Sequence, residues 1–191
     1  DAEKGLFANR IAVEGRTAAA VQTACERAVK QGVRAVFLPA GEYAFETSVR
    51  VPGGLTLFGE GSGTRVQTEN RALSPPDSRA LSRGEVSGTL IQAQGRDTRL
   101  FLVDGDGVRF TRLRLQGADT TPSKDNDTHG VDADGKKNAR VDHCELLGFC
   151  YATFFFNEAT AQVDHCHIHD CPRDGLGYGA AILSGAYVLV M

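Results

Sequence analysis

Tryptophan is missing from this chain, methionine occurs once, and proline appears only six times in 191 residues. Against these shortages stand 22 glycines, a balance that points to short strands joined by many turns. No apolar run approaches the about 20 residues that a membrane-crossing helix needs. Runs of lysine and arginine are missing too: 21 basic and 24 acidic residues are interspersed and leave a net charge of −3. That distribution lacks the basic footprint of a nucleic-acid binder. The five cysteines (Cys25, Cys144, Cys150, Cys166, Cys171) are an odd number, so at least one has no partner within the chain. None shows the CxxC spacing of a zinc site. No signal peptide precedes Asp1, as in a mature secreted protein or a trimmed chain. With 41% hydrophobic and 24% charged residues, positions 1–191 read as one globular domain.

The first element the sequence predicts is a helix over residues 17–31. Thr17 is placed to accept a backbone N–H at its start, and Gly32 suits the left-handed position just past its end. Val21, Ala24, Cys25, Ala28 and Val29 recur at helical spacing and predict one buried face. Strands follow at Val33 to Leu38, Tyr43 to Val51 and Leu55 to Phe58, broken by Pro39-Ala40-Gly41, Pro52-Gly53-Gly54 and Gly59-Glu60-Gly61. Residues 65–88, polar and carrying Pro75-Pro76, are expected to protrude as a loop.

From residue 98 the chain becomes periodic. Val108, Phe110, Leu113 and Leu115 are spaced by two, three and two. Ala139, Val141, Cys144 and Leu146 repeat the pattern, as do Ala161, Val163, Cys166 and Ile168. A step of two keeps side chains on one face of a strand, and the step of three inserts a bend. Leu100 and Leu102, Val131 and Ala133, and Thr153 and Phe155 lead each copy as a further apolar pair. Each unit is then three short strands, with a period of about 22 residues and an excess of nine absorbed between Gly117 and His129. Such a unit buries its apolar face only by stacking on its neighbours. The expected fold is all-β: a right-handed parallel β-helix whose open start is capped by the helix. In it Val141 lies between Phe110 and Val163, and Cys144 and Cys166 form a buried ladder at a bend. A disulfide there is within geometric reach but is not indicated. Ala186 to Met191 reads as the start of another coil, whose edge is expected to be covered by further coils or by a neighbouring subunit.

Leu38-Pro39-Ala40-Gly41-Glu42-Tyr43, followed by Leu57-Phe58-Gly59-Glu60-Gly61, resembles the opening of pectate-lyase-like β-helix proteins, a superfamily of polysaccharide lyases, polygalacturonases and tailspike-like proteins. Asn138-Ala139-Arg140-Val141-Asp142-His143-Cys144, echoed by Val163-Asp164-His165-Cys166, resembles the pectate-lyase signature Asn-Val-Trp-Ile-Asp-His-Cys. Arg140 stands where tryptophan is usual. The resemblance implies the fold over most of the chain and a carbohydrate-active, extracellular or cell-surface protein. It also implies a calcium site, where this chain departs from the pattern. The matching positions are Asp127 and His129, then Phe149 and Thr153, so Asp127 alone is left as a metal candidate. Calcium takes six to eight oxygens, and this set supplies too few. The family's catalytic arginine belongs to later coils than these.

The strand beginning near His129 carries the other candidates. Asp132 and Asp134 are expected to point outwards, with Phe154 and Phe156 one rung above. An acid beside an exposed aromatic ring suits a sugar, whose ring stacks while its hydroxyls donate to the acid; cover by loops or a partner is the competing account of the two phenylalanines. For a lyase, a base takes the C5 proton of a uronate while a cation neutralises its carboxylate. His129 and Asp132 are the catalytic candidates; Asp134, Phe154 and Phe156 are the substrate-binding ones. Asp142 and Asp164 stack close enough to suggest a glycosidase pair, but lie on a regular strand, where a structural role with Arg140 is expected. His165, His167 and His169 alternate, and the bend near Cys166 spoils the convergence that a metal would require. Asp170, Arg173 and Asp174 read as a solvated charged turn. Two functions follow as expectations: a secreted protein that binds or cleaves a polysaccharide, or a non-catalytic structural or adhesive solenoid.

Overall fold

The computed structural model of the chain describes residues 7–61, 88–119 and 121–191. The protruding loop expected at 65–88 lies outside the described residues, apart from Gly88. Helix α1 (Ala18–Gln31) starts at Thr17, whose side chain accepts a hydrogen bond from Ala20 N at 3.3 Å. It ends at Gly32, whose φ of 67° lies in the left-handed region. Ala18, Val21, Ala24, Cys25 and Ala28 are buried. Val29 belongs to the last turn, beside the point where Gly32 turns the chain away, and it is half exposed rather than buried.

Among the described residues, seventeen strands follow one another around the solenoid. The first sheet stacks β1 (Ile11–Ala12), β2 (Ala35–Leu38), β5 (Thr56–Gly59), β8 (Arg109–Thr111), β11 (Ala139–Asp142), β14 (Thr160–Asp164) and β17 (Tyr187–Val190). A second stacks β3 (Gly41–Phe45), β6 (Thr89–Ala93), β9 (Arg114–Gln116), β12 (Glu145–Leu147) and β15 (His167–His169). The third stacks β4 (Val49–Val51), β7 (Arg99–Val103), β10 (His129–Asp134), β13 (Tyr151–Phe156) and β16 (Tyr178–Ile182). Pairing is parallel between all neighbours, so the chain is a right-handed parallel β-helix of three-strand coils. The segment expected as one strand from Tyr43 to Val51 turns a corner and forms β3 and β4. Helix α1 packs on β1 to β4 and covers the first coil.

The predicted columns are in register: Val108, Ala139 and Ala161 in one, Phe110, Val141 and Val163 in the next. Leu115, Leu146 and Ile168 form a third. Val141 is fully buried. The step of three is a corner whose second intervening residue has a positive φ: 57° at Arg112, 51° at His143 and 52° at His165. The excess residues loop out between β9 and β10. Cys144 and Cys166 are free thiols at this corner, Cys144 buried and Cys166 partly so.

One column departs from the sequence reading. Val131 pairs with Phe101, and Asp132 with Leu102, so Leu102 faces outwards. The cause is the corner before each strand of the third sheet, where two consecutive residues turn inwards. Leu100 and Phe101 are fully buried, as are Ala152 and Thr153. Strict alternation resumes only after the corner, and the residue before it, at 99, 129 or 151, is left on the outer face.

Candidate functional site

The outer face of the third sheet gathers the candidate residues into columns that cross the strands. Arg50, Leu102, Asp132, Phe154 and Ala181 share one column. Arg99, His129, Tyr151 and Tyr178 share another. Asp134 pairs with Phe156 in a third. Neighbours in a column lie ~4.8 Å apart, which brings the rings into contact. His129 meets the Tyr151 ring at 4.8 Å and the Phe154 ring at 5.2 Å. Phe154 and Phe156 stack at 5.9 Å, and Tyr151 and Tyr178 at 5.7 Å with their planes only 6° apart.

His129 and Asp132, the two catalytic candidates, meet: Nδ1 lies 3.3 Å from Asp132 Oδ2. Arg99 Nη1 donates to the same oxygen at 3.1 Å. His129 and Asp132 are both buried, at 4% and 5% exposure. Asp132 is thus committed to its neighbours. Asp134 is exposed and accepts from Asn157 Nδ2 at 2.8 Å, and Phe154 and Phe156 are half-buried. A groove of about 340 Å³ runs beside Phe154, with Arg50, Arg99 and Lys136 facing Asp104, Asp132 and Asp134. Sequence reasoning missed Arg50, Arg99, Tyr151 and Tyr178. The constant offset of 99, 129 and 151 from the start of each strand was the available signal, hidden by the assumption of strict alternation.

Asp127 lies two residues before β10 and is exposed. Arg173 Nη1 donates to its Oδ1 at 2.8 Å and to Asn126 O at 2.6 Å. Arg173 is therefore a clamp between the 117–128 loop and the last coils, not the solvated turn residue expected. A guanidinium on the aspartate and the buried apolar ring of Phe149 make a donor set that does not fit calcium.

The Asp-His-Cys signature has a structural use. Arg109 Nε and Nη2 grip Asp142 at 2.6 and 3.0 Å, and Thr111 Oγ1 donates to it at 2.5 Å. Arg140 holds Asp164 with two bonds of 3.1 and 3.0 Å and also reaches Asp142 at 3.0 Å. Burial pushes the Asp142 carboxyl up, but Arg109, Thr111 and His143 outweigh it and hold it at about 2. Asp164 is lowered too, chiefly by Arg140. Both acids stay ionised, and neither serves as a proton donor near neutral pH. His143 and His165 stack at 4.9 Å on the corner, so the bend does separate His165 from His167 and His169.

No known protein family, curated protein or solved structure matches this chain.

Proposed function

We propose that this β-helix is a secreted or cell-surface protein of the pectate-lyase-like superfamily that binds an acidic polysaccharide across the outer face of its third sheet. The supporting observation is the half-buried ring of Phe154 at the edge of a groove lined by Arg50, Arg99 and Lys136. A sugar ring stacks on such an aromatic, and a guanidinium pairs with a uronate carboxylate through two parallel hydrogen bonds. Asp134 accepts from sugar hydroxyls at the same edge. Cleavage by β-elimination assigns the base to His129, oriented by Asp132, and charge neutralisation to Arg99. A base has to reach the proton it removes, and His129 lies beneath Tyr151 and Phe154. Its burial favours binding without cleavage, the adhesive reading. Calcium has no part in this binding, because Arg173 already neutralises Asp127.

Calorimetry with polygalacturonate and alginate tests the proposal. Phe154→Ala is expected to weaken binding by about 1 kcal/mol, several-fold. Arg99→Ala is expected to weaken it and flatten its dependence on salt. Binding by neither polymer, or affinities indifferent to both changes, would overturn the proposal. Calcium dependence that disappears in Asp127→Ala would overturn the calcium clause. Release of unsaturated uronate, followed by its ultraviolet absorbance and lost in His129→Ala, would establish cleavage instead of simple binding.

A further inference from the structure

On the second sheet, a different sheet from the one that carries the groove, Glu145 of β12 pairs in register with His167 of β15. His169 lies two residues further along β15, on the same face as His167, and their rings stack at 4.2 Å. One ligand atom from each of Glu145, His167 and His169 falls within 4.8 Å of the others. The alternation of β15 and the parallel register produce this meeting: residues two apart share a face, and the next rung down delivers the carboxylate to it.

The hydrogen bonds around His169 point to what the cluster holds. Its Nδ1 lies 2.8 Å from Asp170 Oδ2, and its Nε2 lies 3.1 Å from Glu145 Oε1. Both ring nitrogens therefore face carboxylate oxygens, which only accept, while a neutral imidazole carries one proton. With that proton given to Asp170, the Nε2 lone pair and Glu145 Oε1 face one another, and His167 on the same face adds a third donor atom to the pair.

We propose that Glu145, His167 and His169 form a binding site for a divalent transition metal, with zinc as the reference ion. Two imidazoles and one carboxylate match the ligand types of open zinc sites, which keep a fourth position for water. Asp170 supplies the carboxylate partner that fixes the tautomer of a metal-bound imidazole. Arg114 Nε lies 3.4 Å from Glu145 Oε2, and Oε1 is the oxygen beside His169. Tetrahedral ligand atoms sit roughly 3.3 Å apart around zinc. Exposed His167 closes the remaining gap by rotating about its side-chain bonds, with no movement of the strands.

The test is titration of the full 191-residue chain, free of any affinity tag, with zinc in competition with a chromophoric chelator, and with cobalt followed by its visible spectrum. One equivalent is expected to bind, with the cobalt spectrum of a four-coordinate nitrogen and oxygen site. His167→Ala, a surface change that leaves the fold intact, should abolish the stoichiometric site and the spectrum. Asp170→Asn should weaken binding by roughly tenfold. His165→Ala, on the corner beside it, should change neither. Equal zinc affinity in the wild-type chain and His167→Ala, or binding that disappears with His165 instead, would overturn the proposal.

Discussion

Asp142 condenses the local physics of this chain into one side chain. Its position after Val141 on an exposed-facing register would put a lone carboxylate at the surface, yet it is fully buried. Arg109 from the coil below and Arg140 from its own strand cover it. A carboxylate buried among two guanidiniums costs desolvation but gains charge-assisted hydrogen bonds, and removing it takes those bonds from both cations. Asp142→Ala is accordingly expected to destabilise the fold by about 3–5 kcal/mol in urea unfolding; a loss below about 1 kcal/mol would show that the cage contributes little. The pH dependence has a definite sign. Because the folded carboxyl sits at about 2, below its ordinary 3.8, its contribution is complete above about pH 4. It is lost as pH falls from 4 towards 2, on the order of 2 kcal/mol in all. In Asp142→Asn that part of the acid transition should disappear.

Strand-to-strand contact in the third sheet depends on small residues at its corner. A Cβ at Gly130 would lie 2.4 Å from Ala152 O and 3.4 Å from the Phe149 ring. Gly130→Ala forces β10 and β13 apart at the point where His129 meets Tyr151 and Phe154. The aromatic column should loosen, and tyrosine fluorescence and polysaccharide binding should change together. Stability is expected to fall by about 1–3 kcal/mol from the overpacking. A variant with wild-type stability and an unchanged aromatic environment would mean that the backbone approach is looser than described. The same corner explains the column misassigned by spacing. Leu100, Phe101 and Leu102 are all apolar, so hydropathy cannot tell which two turn inwards, and only the pairing with β10 selects Phe101.

As a whole, the molecule is close to one-dimensional: strands pair only with the rungs directly above and below, and stability is passed along the stack. Burial is uneven along that axis. Tyr43, Phe45, Phe101 and Phe110 are fully buried in the early coils, whereas Tyr187, Leu189 and Val190 on β17 are 77%, 54% and 57% exposed. In the 191-residue chain, hydrogen exchange should therefore be fastest in β16 and β17 and slowest in β5 to β11. Uniform protection from β2 to β17 would contradict this gradient. Helix α1 is the counterpart at the other end, and its cap residue Thr17 and C-terminal Gly32 fix its length to the first coil it covers.

The repeat of two, three and two, with apolar residues at each step, was enough to specify coils, corners and two inward columns, because side-chain alternation and a bend of one residue leave few other ways to bury those positions. The helix was equally legible from Thr17, Gly32 and its spacing. The outward-facing chemistry was only half legible. Asp132, Asp134, Phe154 and Phe156 could be placed on one face by counting, but Arg50, Arg99, Tyr151 and Tyr178 could not, since a corner shifts the count by one. Distances around the solenoid were decided by register alone: Arg173 reaching Asp127, Arg109 reaching Asp142, and Glu145 meeting His167 and His169. These partners lie 22 to 46 residues apart, and nothing in local spacing brings them together until the coils stack.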